Sequence, residues 1–480
     1  MNRRAIVIVL GFCISCAGDE PAPAAEANVA YLSPVEHLVR ASMALRGIRP
    51  SLEEMSAVRE DPEWLPSIID YYLTTDAFGA TIREMHAEQL LVGIDPAIYP
   101  AGFPARAELA GMEVQAINTS VVEAPVRLIE HVVMHDRPYH EIVTADYTVT
   151  DPIVSTVFGI PYDETGPQWQ VSHYDDERPH AGVLSDSFLF TRHSSTLSNK
   201  SRGRANVIAR SLLCYDFLSR QVEINTNIDL TNEEAVQNAI TNNEACASCH
   251  QTLDPLASNF ADFAPIYVPS EVMTYPVAVW DHPYERFLRV TSPGYFGEHA
   301  VNLRDLGILI GSDPRFGLCT ARRFYSYLAQ IEPQEAPLDI VADLYTEFVN
   351  TGMNAKAVAR AIVLSDSFRV AQATSDEGAD DVRGVMKVRP EQLARMIEDL
   401  TGYRWQTSLA VDFGIGQIGR VDLMTDSLFG FEVLAGGTDS MNVTQPALTH
   451  SATSVLVMRA LAAHAAPYTV TFDFAESLMC

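Results

Sequence analysis

Along most of this chain apolar residues recur every three or four positions, the spacing of one face of a helix. The stretch "SPVEHLVRASMALRG" (33–47) predicts a helix capped by Ser33, with Pro34 at its first position and Gly47 as its stop. Ser51 and Glu54 follow at the spacing of a capping box. In "EWLPSIIDYYL" (63–73) the residues Leu65, Ile68, Ile69, Tyr72 and Leu73 share one helix face. "APVRLIEHVVMHDRPYHEIVTADYTV" (124–149) predicts a helix and then an extended piece. Residues 158–182 carry Pro, Gly, aromatics and histidines without a period and predict a long loop at the surface or near a site.

Helical spacing resumes at "RANVIARSLLCYDFLS" (204–219) and at "TNEEAVQNAIT" (231–241). In "LCTARRFYSYLAQI" (318–331) Leu318, Ala321, Tyr325 and Leu328 are expected on one face, and "NAKAVARAIVLSDSF" (354–368) has the same character. A short motif recurs as "TDAF" (75–78), "SDPRF" (312–316) and "SDSF" (365–368). The first and third are expected to close a helix and the second to open one; the irregular period points to a reused helix-boundary device, not a solenoid.

The expected fold class is mainly α, with multi-helix domains and a small α+β unit at the C-terminal end. The acidic stretch 371–384 reads as a linker. Beyond it, 385–480 holds a helix from "RPEQLARMIEDL", a Gly-rich segment, an apolar helix from "ATSVLVMRALAAHAA" and the alternating "PYTVTFDFAESLMC", read as a strand. A domain stopping inside such a pattern is expected to be incomplete or to lend that strand to a neighbour. Arg3 and Arg4 before the apolar run "AIVIVLGFCI" predict a signal peptide over 1–15. Cys16, after a small residue, is then the expected lipid-bearing first residue of the mature chain, and simple cleavage with secretion is the alternative. Residues 16–30 read as a flexible linker, 31–157 as an N-terminal helical domain, 158–265 as a loop-rich and helical region, and 266–370 as a further helical domain.

Composition adds one constraint. In 480 residues, 33 Lys and Arg against 62 Asp and Glu leave a net charge of −29. Neutralising phosphates requires clustered cations, so nucleic acid is not the expected partner. The acidity serves solubility of an exported chain, or docking of a basic partner.

The specific chemistry lies in "EACASCH" (244–250). Two thiols separated by two residues can reach the two vinyl groups of a haem, and the next residue, His250, can place its imidazole on the iron. A structural zinc site would bring a second pair of ligands at similar spacing, and His282 and His299 are single and distant. A redox-active dithiol would follow a strand in a βαβ unit, which this pattern lacks. The expected site is therefore one covalent haem c on Cys246 and Cys249, with His250 as the proximal ligand. Candidates for the opposite face of the iron are His193 and Met273, ahead of His173, His180, His282 and His299; Met353 and Met396 sit in helical context, where core packing is the default. Cys214 and Cys319 are either a disulfide or two buried thiols, and Cys480 has no evident partner. No phosphate-binding loop, nucleophile elbow or zinc-protease pair occurs. Gly436–Gly437 reads as a plain turn, beside Asp439 and Asn442 with their remote capacity for calcium.

"EACASCHQTLDPLASNF" resembles the haem-motif region of cytochrome c-like families of unknown function found in planctomycetes and myxobacteria. There the motif is followed by Asp-Pro-Leu-Gly and by Asn-Phe-Asp. Asp254, Pro255 and Leu256 match, Ala257 replaces the Gly, and Asn259 and Phe260 come earlier than usual. "SNKSRGRANVIARSLLC", with Arg202, Gly203 and Cys214, resembles the segment upstream of that motif, and "LIGSDPRFGLCTARRFYSYLAQ", with Cys319, resembles the downstream helical domain. The resemblance implies an exported, mostly helical haem protein. Expected roles are electron transfer at the periplasm or outer membrane with a redox partner protein, a haem-dependent oxidase or peroxidase acting on extracellular material, or an envelope assembly component in which haem is structural.

Overall fold

The computed structural model describes residues 29–93, 107–193, 201–219, 228–229, 231–261, 292–375, 386–411, 416–427 and 429–479. Met273, His282, Cys16, Cys480, the expected signal segment and most of the expected acidic linker lie outside them. The described chain is mainly helical, as the spacing of its apolar positions requires. In order, the first helices are α1 (Pro34–Arg46), α2 (Leu52–Glu60), α3 (Trp64–Tyr72), α4 (Asp76–Leu90), α5 (Val114–Met134), α6 (Glu141–Thr144), α7 (Pro152–Phe158) and α8 (Ser187–Arg192). Then come α9 (Arg202–Leu213), α10 (Glu233–Asn242), α11 (Glu244–Ser258), α12 (Leu303–Ser312), α13 (Pro314–Ala329), α14 (Leu338–Asn350), α15 (Ala355–Leu364) and α16 (Asp366–Arg369). The C-terminal unit adds α17 (Pro390–Thr401), α18 (Glu432–Ala435) and α19 (Ala452–Met479).

Strands are few, and among the described residues they form four two-stranded antiparallel sheets. The first joins β1 (Val29–Tyr31) to β6 (Val370–Ala373), with Val29 opposite Ala373. The others pair β2 (Thr148–Thr150) with β3 (Gln170–Ser172), β4 (Gly294–Tyr295) with β5 (Glu298–His299), and β7 (Gln406–Val411) with β8 (Gly416–Asp422). Residues 371–373, expected within the linker, thus belong to a strand. Of the expected loop 158–182, Phe158 closes α7, Gln170–Ser172 form β3 and Gly182 opens a short 3-10 turn, and the rest is irregular.

One buried apolar cluster runs from Leu38 to Phe368 and draws on α1, α4, α5, α9, α11, α13 and α15. A second holds Leu393, Trp405, Met424, Ala435, Val457 and Leu461, the core of the C-terminal α+β unit. Arg395 pairs with Glu84, Arg389 with Glu88 at 2.6 Å, and Gln392 donates to the Met43 carbonyl at 3.2 Å, seating that unit on α1 and α4.

The recurring motif opens α13 in its second copy as expected, and in its third copy Ser365 closes α15 as expected but caps α16 as well; the first copy departs from expectation, with Thr75 opening α4. All three copies open a helix. Thr75 and Ser365 accept from the backbone N–H of Phe78 and Phe368, and Asp313 accepts from that of Arg315. In each case Phe follows three residues after the cap and is buried: Phe78, Phe316 and Phe368. The capping oxygen satisfies an orphan N–H while the Phe on the same turn anchors the helix in the core. Leu318 also departs from its expected face: it is 37% exposed and lies on the outer stripe of α13 with Arg315 and Arg322. Alternation in "PYTVTFDF" predicted a strand, but the backbone there continues α19 to Met479. A strand needs a partner ladder, whereas a helix already running through the Ala-rich stretch extends by one internal bond for each further residue with an N–H, Pro467 excepted.

Candidate functional site

Helix α11 carries the cysteine motif at its N-terminal end. The side chain of Asn243 caps it, accepting from the N–H groups of Ala245 at 3.0 Å and Cys246 at 3.3 Å. Positions three and four apart on a helix are neighbours, so Cys249 and His250 project from the same side as Cys246, one turn on. Both thiols are free and half-buried. Cys249 packs against the main apolar cluster, which fixes the helix's rotation.

His250 is held from below by Asp254, the next residue along that stripe. Its Nδ1 lies 3.0 Å from Asp254 Oδ1. Asp254 in turn accepts two bonds from Arg202, from Nε at 2.6 Å and from an η nitrogen at 3.0 Å. Asp254 is 3% exposed. Burial pushes the Asp254 carboxyl up, but hydrogen bonds from His250 and Arg202, with the guanidinium charge, outweigh it and hold the group below the ordinary carboxylate range. An ionised carboxylate only accepts, so Nδ1 is a donating N–H, and in the neutral ring the lone pair is then on Nε2. No described residue bonds to that Nε2.

Neighbouring elements lock this arrangement. Arg202 opens α9, whose far end is tied to α4 by a reciprocal pair: Ser211 Oγ donates to the Gln89 carbonyl at 2.8 Å and the Gln89 amide donates to the Ser211 carbonyl at 2.5 Å. Cys214, just past α9, forms a disulfide with Cys319 of α13. That pairing leaves Cys246 and Cys249 as the free thiols among the described residues. At the other end of α11, Asn259 donates to the Gly294 carbonyl at 3.2 Å and Phe260 is buried.

The donor set is two half-buried thiols and one half-buried imidazole. Among the described residues no group of three or more His, Cys, Asp or Glu side chains is arranged to hold a bare metal ion. Two reduced thiols one turn apart, followed by an oriented imidazole, fit the attachment chemistry of a c-type haem: two thioethers and one axial nitrogen. The roles of Asp254 and Arg202 were not assigned from the sequence. The His250–Asp254 separation of four on a helix was the available signal; the pairing with Arg202 spans 52 residues and carried none.

Other candidates are placed as follows. His193 donates through Nε2 to the Leu90 carbonyl at 2.9 Å, and burial and Arg192 push its imidazole down to about 3. Binding iron through Nε2 would first break that bond. His173 and His180 face each other in the long loop, ring centres 6.1 Å apart, while His299 lies exposed on β5. Met353 packs on the main cluster and Met396 on the second. Gly436 ends α18 in the left-handed region, and Asp439 accepts from the backbone N–H groups of Met441, Asn442 and Val443, so its carboxylate holds a turn. A cavity of about 380 Å³ between α4 and the C-terminal unit is lined by Glu84, Glu88, Tyr327, Arg389, Glu391 and Asp426, and not by the cysteine motif. No described helix is long and apolar enough to cross a membrane.

Residues 180–267 are similar to PSCyt3, described as a protein of unknown function (DUF1588). The matched segment spans Arg202, Cys214, Cys246, Cys249, His250 and Asp254. No curated protein and no solved structure matches the chain.

Proposed function

We propose that this chain is an exported c-type haem protein that transfers electrons at the bacterial cell envelope, anchored by lipid on Cys16. The carrying observation is α11: two free thiols one turn apart, with the next side chain an imidazole whose tautomer is set by a buried carboxylate. Cys246 and Cys249 would form the thioethers and His250 Nε2 would hold the iron. Bound there, haem supplies a one-electron couple whose potential follows its ligands and burial. Cys249 supports the attachment helix from the core, and Asp254 keeps His250 in the ligating tautomer. His193 or Met273 would supply a second ligand to the iron. The excess of acidic residues suits a basic redox partner.

The test is expression of the whole chain in an oxidising compartment with cytochrome c maturation, followed by spectra of the oxidised and reduced protein. One covalent haem per chain is expected, lost in a Cys246→Ala/Cys249→Ala variant. Colourless wild-type protein from a competent host overturns the proposal. A low-spin haem inert to carbon monoxide supports electron transfer, whereas a high-spin haem that binds it replaces that role with catalysis.

A further inference from the structure

We propose that Asp254 and Arg202 act as an opposed pair of positioning residues that set how strongly His250 donates to the haem iron; this rests on the haem reading above. The geometry is a linear chain of charge-assisted hydrogen bonds. His250 Nδ1–H donates to Asp254 at 3.0 Å, and Arg202 donates twice to the same carboxylate at 2.6 and 3.0 Å. Asp254 Oδ1 is shared, receiving both the imidazole and the Arg202 Nε proton.

A carboxylate accepting from Nδ1–H pulls that proton outward, so electron density rises at Nε2 and the ring becomes a stronger donor. A stronger nitrogen donor favours Fe(III) over Fe(II) and lowers the potential. Arg202 works in the other direction. Its bidentate fork draws negative charge from the carboxylate and leaves less for the imidazole. The site is dry enough for both effects to matter, because Asp254 is 3% exposed and Arg202 side-chain exposure is 15%. The two residues arrive from different helices, α11 and α9, so the shared oxygen is a product of the tertiary fold and not of helix spacing alone.

The experiment uses the full chain matured with haem and compares wild type, Asp254→Asn and Arg202→Gln by potentiometric titration, with covalent haem measured for each. Asn can still accept from Nδ1 but lacks the charge, so a tenfold loss of Fe(III) preference is expected, a rise of about 59 mV for a one-electron couple. Arg202→Gln releases the carboxylate, and the potential is expected to fall. In the ferric low-spin state the electron paramagnetic resonance g values, which follow the strength of the imidazole donor, should shift in opposite directions in Asp254→Asn and Arg202→Gln, which separates action through His250 from bulk charge. Haem-loaded variants with unchanged potentials, or shifts of one sign, overturn this inference and leave the haem reading standing. Should Asp254→Asn fail to mature, the sign of the Arg202→Gln shift decides alone. Wild type without covalent haem overturns both.

Discussion

His86 shows how much a single buried ring can do away from the cysteine motif. Its Nδ1 donates to the Ile82 carbonyl at 2.6 Å and its Nε2 accepts from the Tyr139 hydroxyl at 2.5 Å, so the neutral ring is fully partnered. Burial and the Arg323 charge push its pKa down to about 4. The unfolded ring titrates near its ordinary value of about 6.5. Between those values the unfolded chain binds more protons, so stability is complete above pH ~6.5 and falls as pH drops through the window. At pH 5 the loss from this group should be about 2 kcal/mol relative to pH 7.5. Urea midpoints at the two pH values should converge in His86→Gln, and an unaltered pH slope in that variant would sink the assignment. No local spacing points to His86, because what satisfies its Nε2 lies 53 residues away in the chain. Its partner Tyr139 is brought by a different element, as Arg202 is brought to Asp254.

At the scale of elements, capping chemistry is read locally and packing is not. Ser33 and Ser51 cap α1 and α2 as expected, each with its reciprocal Glu, because those bonds lie within four residues. In the recurring motif Ser365 closes α15, as its spacing predicts, and also opens α16, whereas Thr75 only opens α4, because a Ser or Thr between two helices can serve either end. Gly307 illustrates what spacing omits. A Cβ there would lie 2.0 Å from the Val143 carbonyl oxygen, so α12 crosses α6 at backbone contact. Gly307→Ala gains up to about 1 kcal/mol of helix propensity, yet must force the helices apart. We expect a net loss of about 1–2 kcal/mol, seen as a lowered melting temperature. A variant as stable as wild type would show that the crossing yields. The C-terminal alternation teaches the same lesson, for a period of two is only a strand where another strand accepts its hydrogen bonds.

For the whole molecule, the Cys214–Cys319 disulfide closes a loop with a sequence separation of 105 that contains α10 and α11. Removing it should cost about 4–5 kcal/mol on the chain-entropy scale for a loop of this size. A Cys214→Ser/Cys319→Ser protein is expected to unfold at correspondingly lower denaturant, and without haem only the other two described thiols should alkylate before reduction. Four reactive thiols among the described cysteines in unreduced, folded wild type would contradict the pairing. The ion pairs of Arg389 and Arg395 with Glu88 and Glu84 likewise bind the C-terminal unit to helices some 300 residues earlier.

The sequence by itself determined the helical character, several caps and the two-thiol, one-imidazole constellation, because each depends on residues within a turn or two of one another. The tertiary structure alone decided that Arg202 meets Asp254, that Cys214 meets Cys319, that Leu318 faces outward and that the last segment is helical. Those outcomes depend on which distant surfaces come together to bury apolar area and satisfy hydrogen bonds, and no local period encodes that choice.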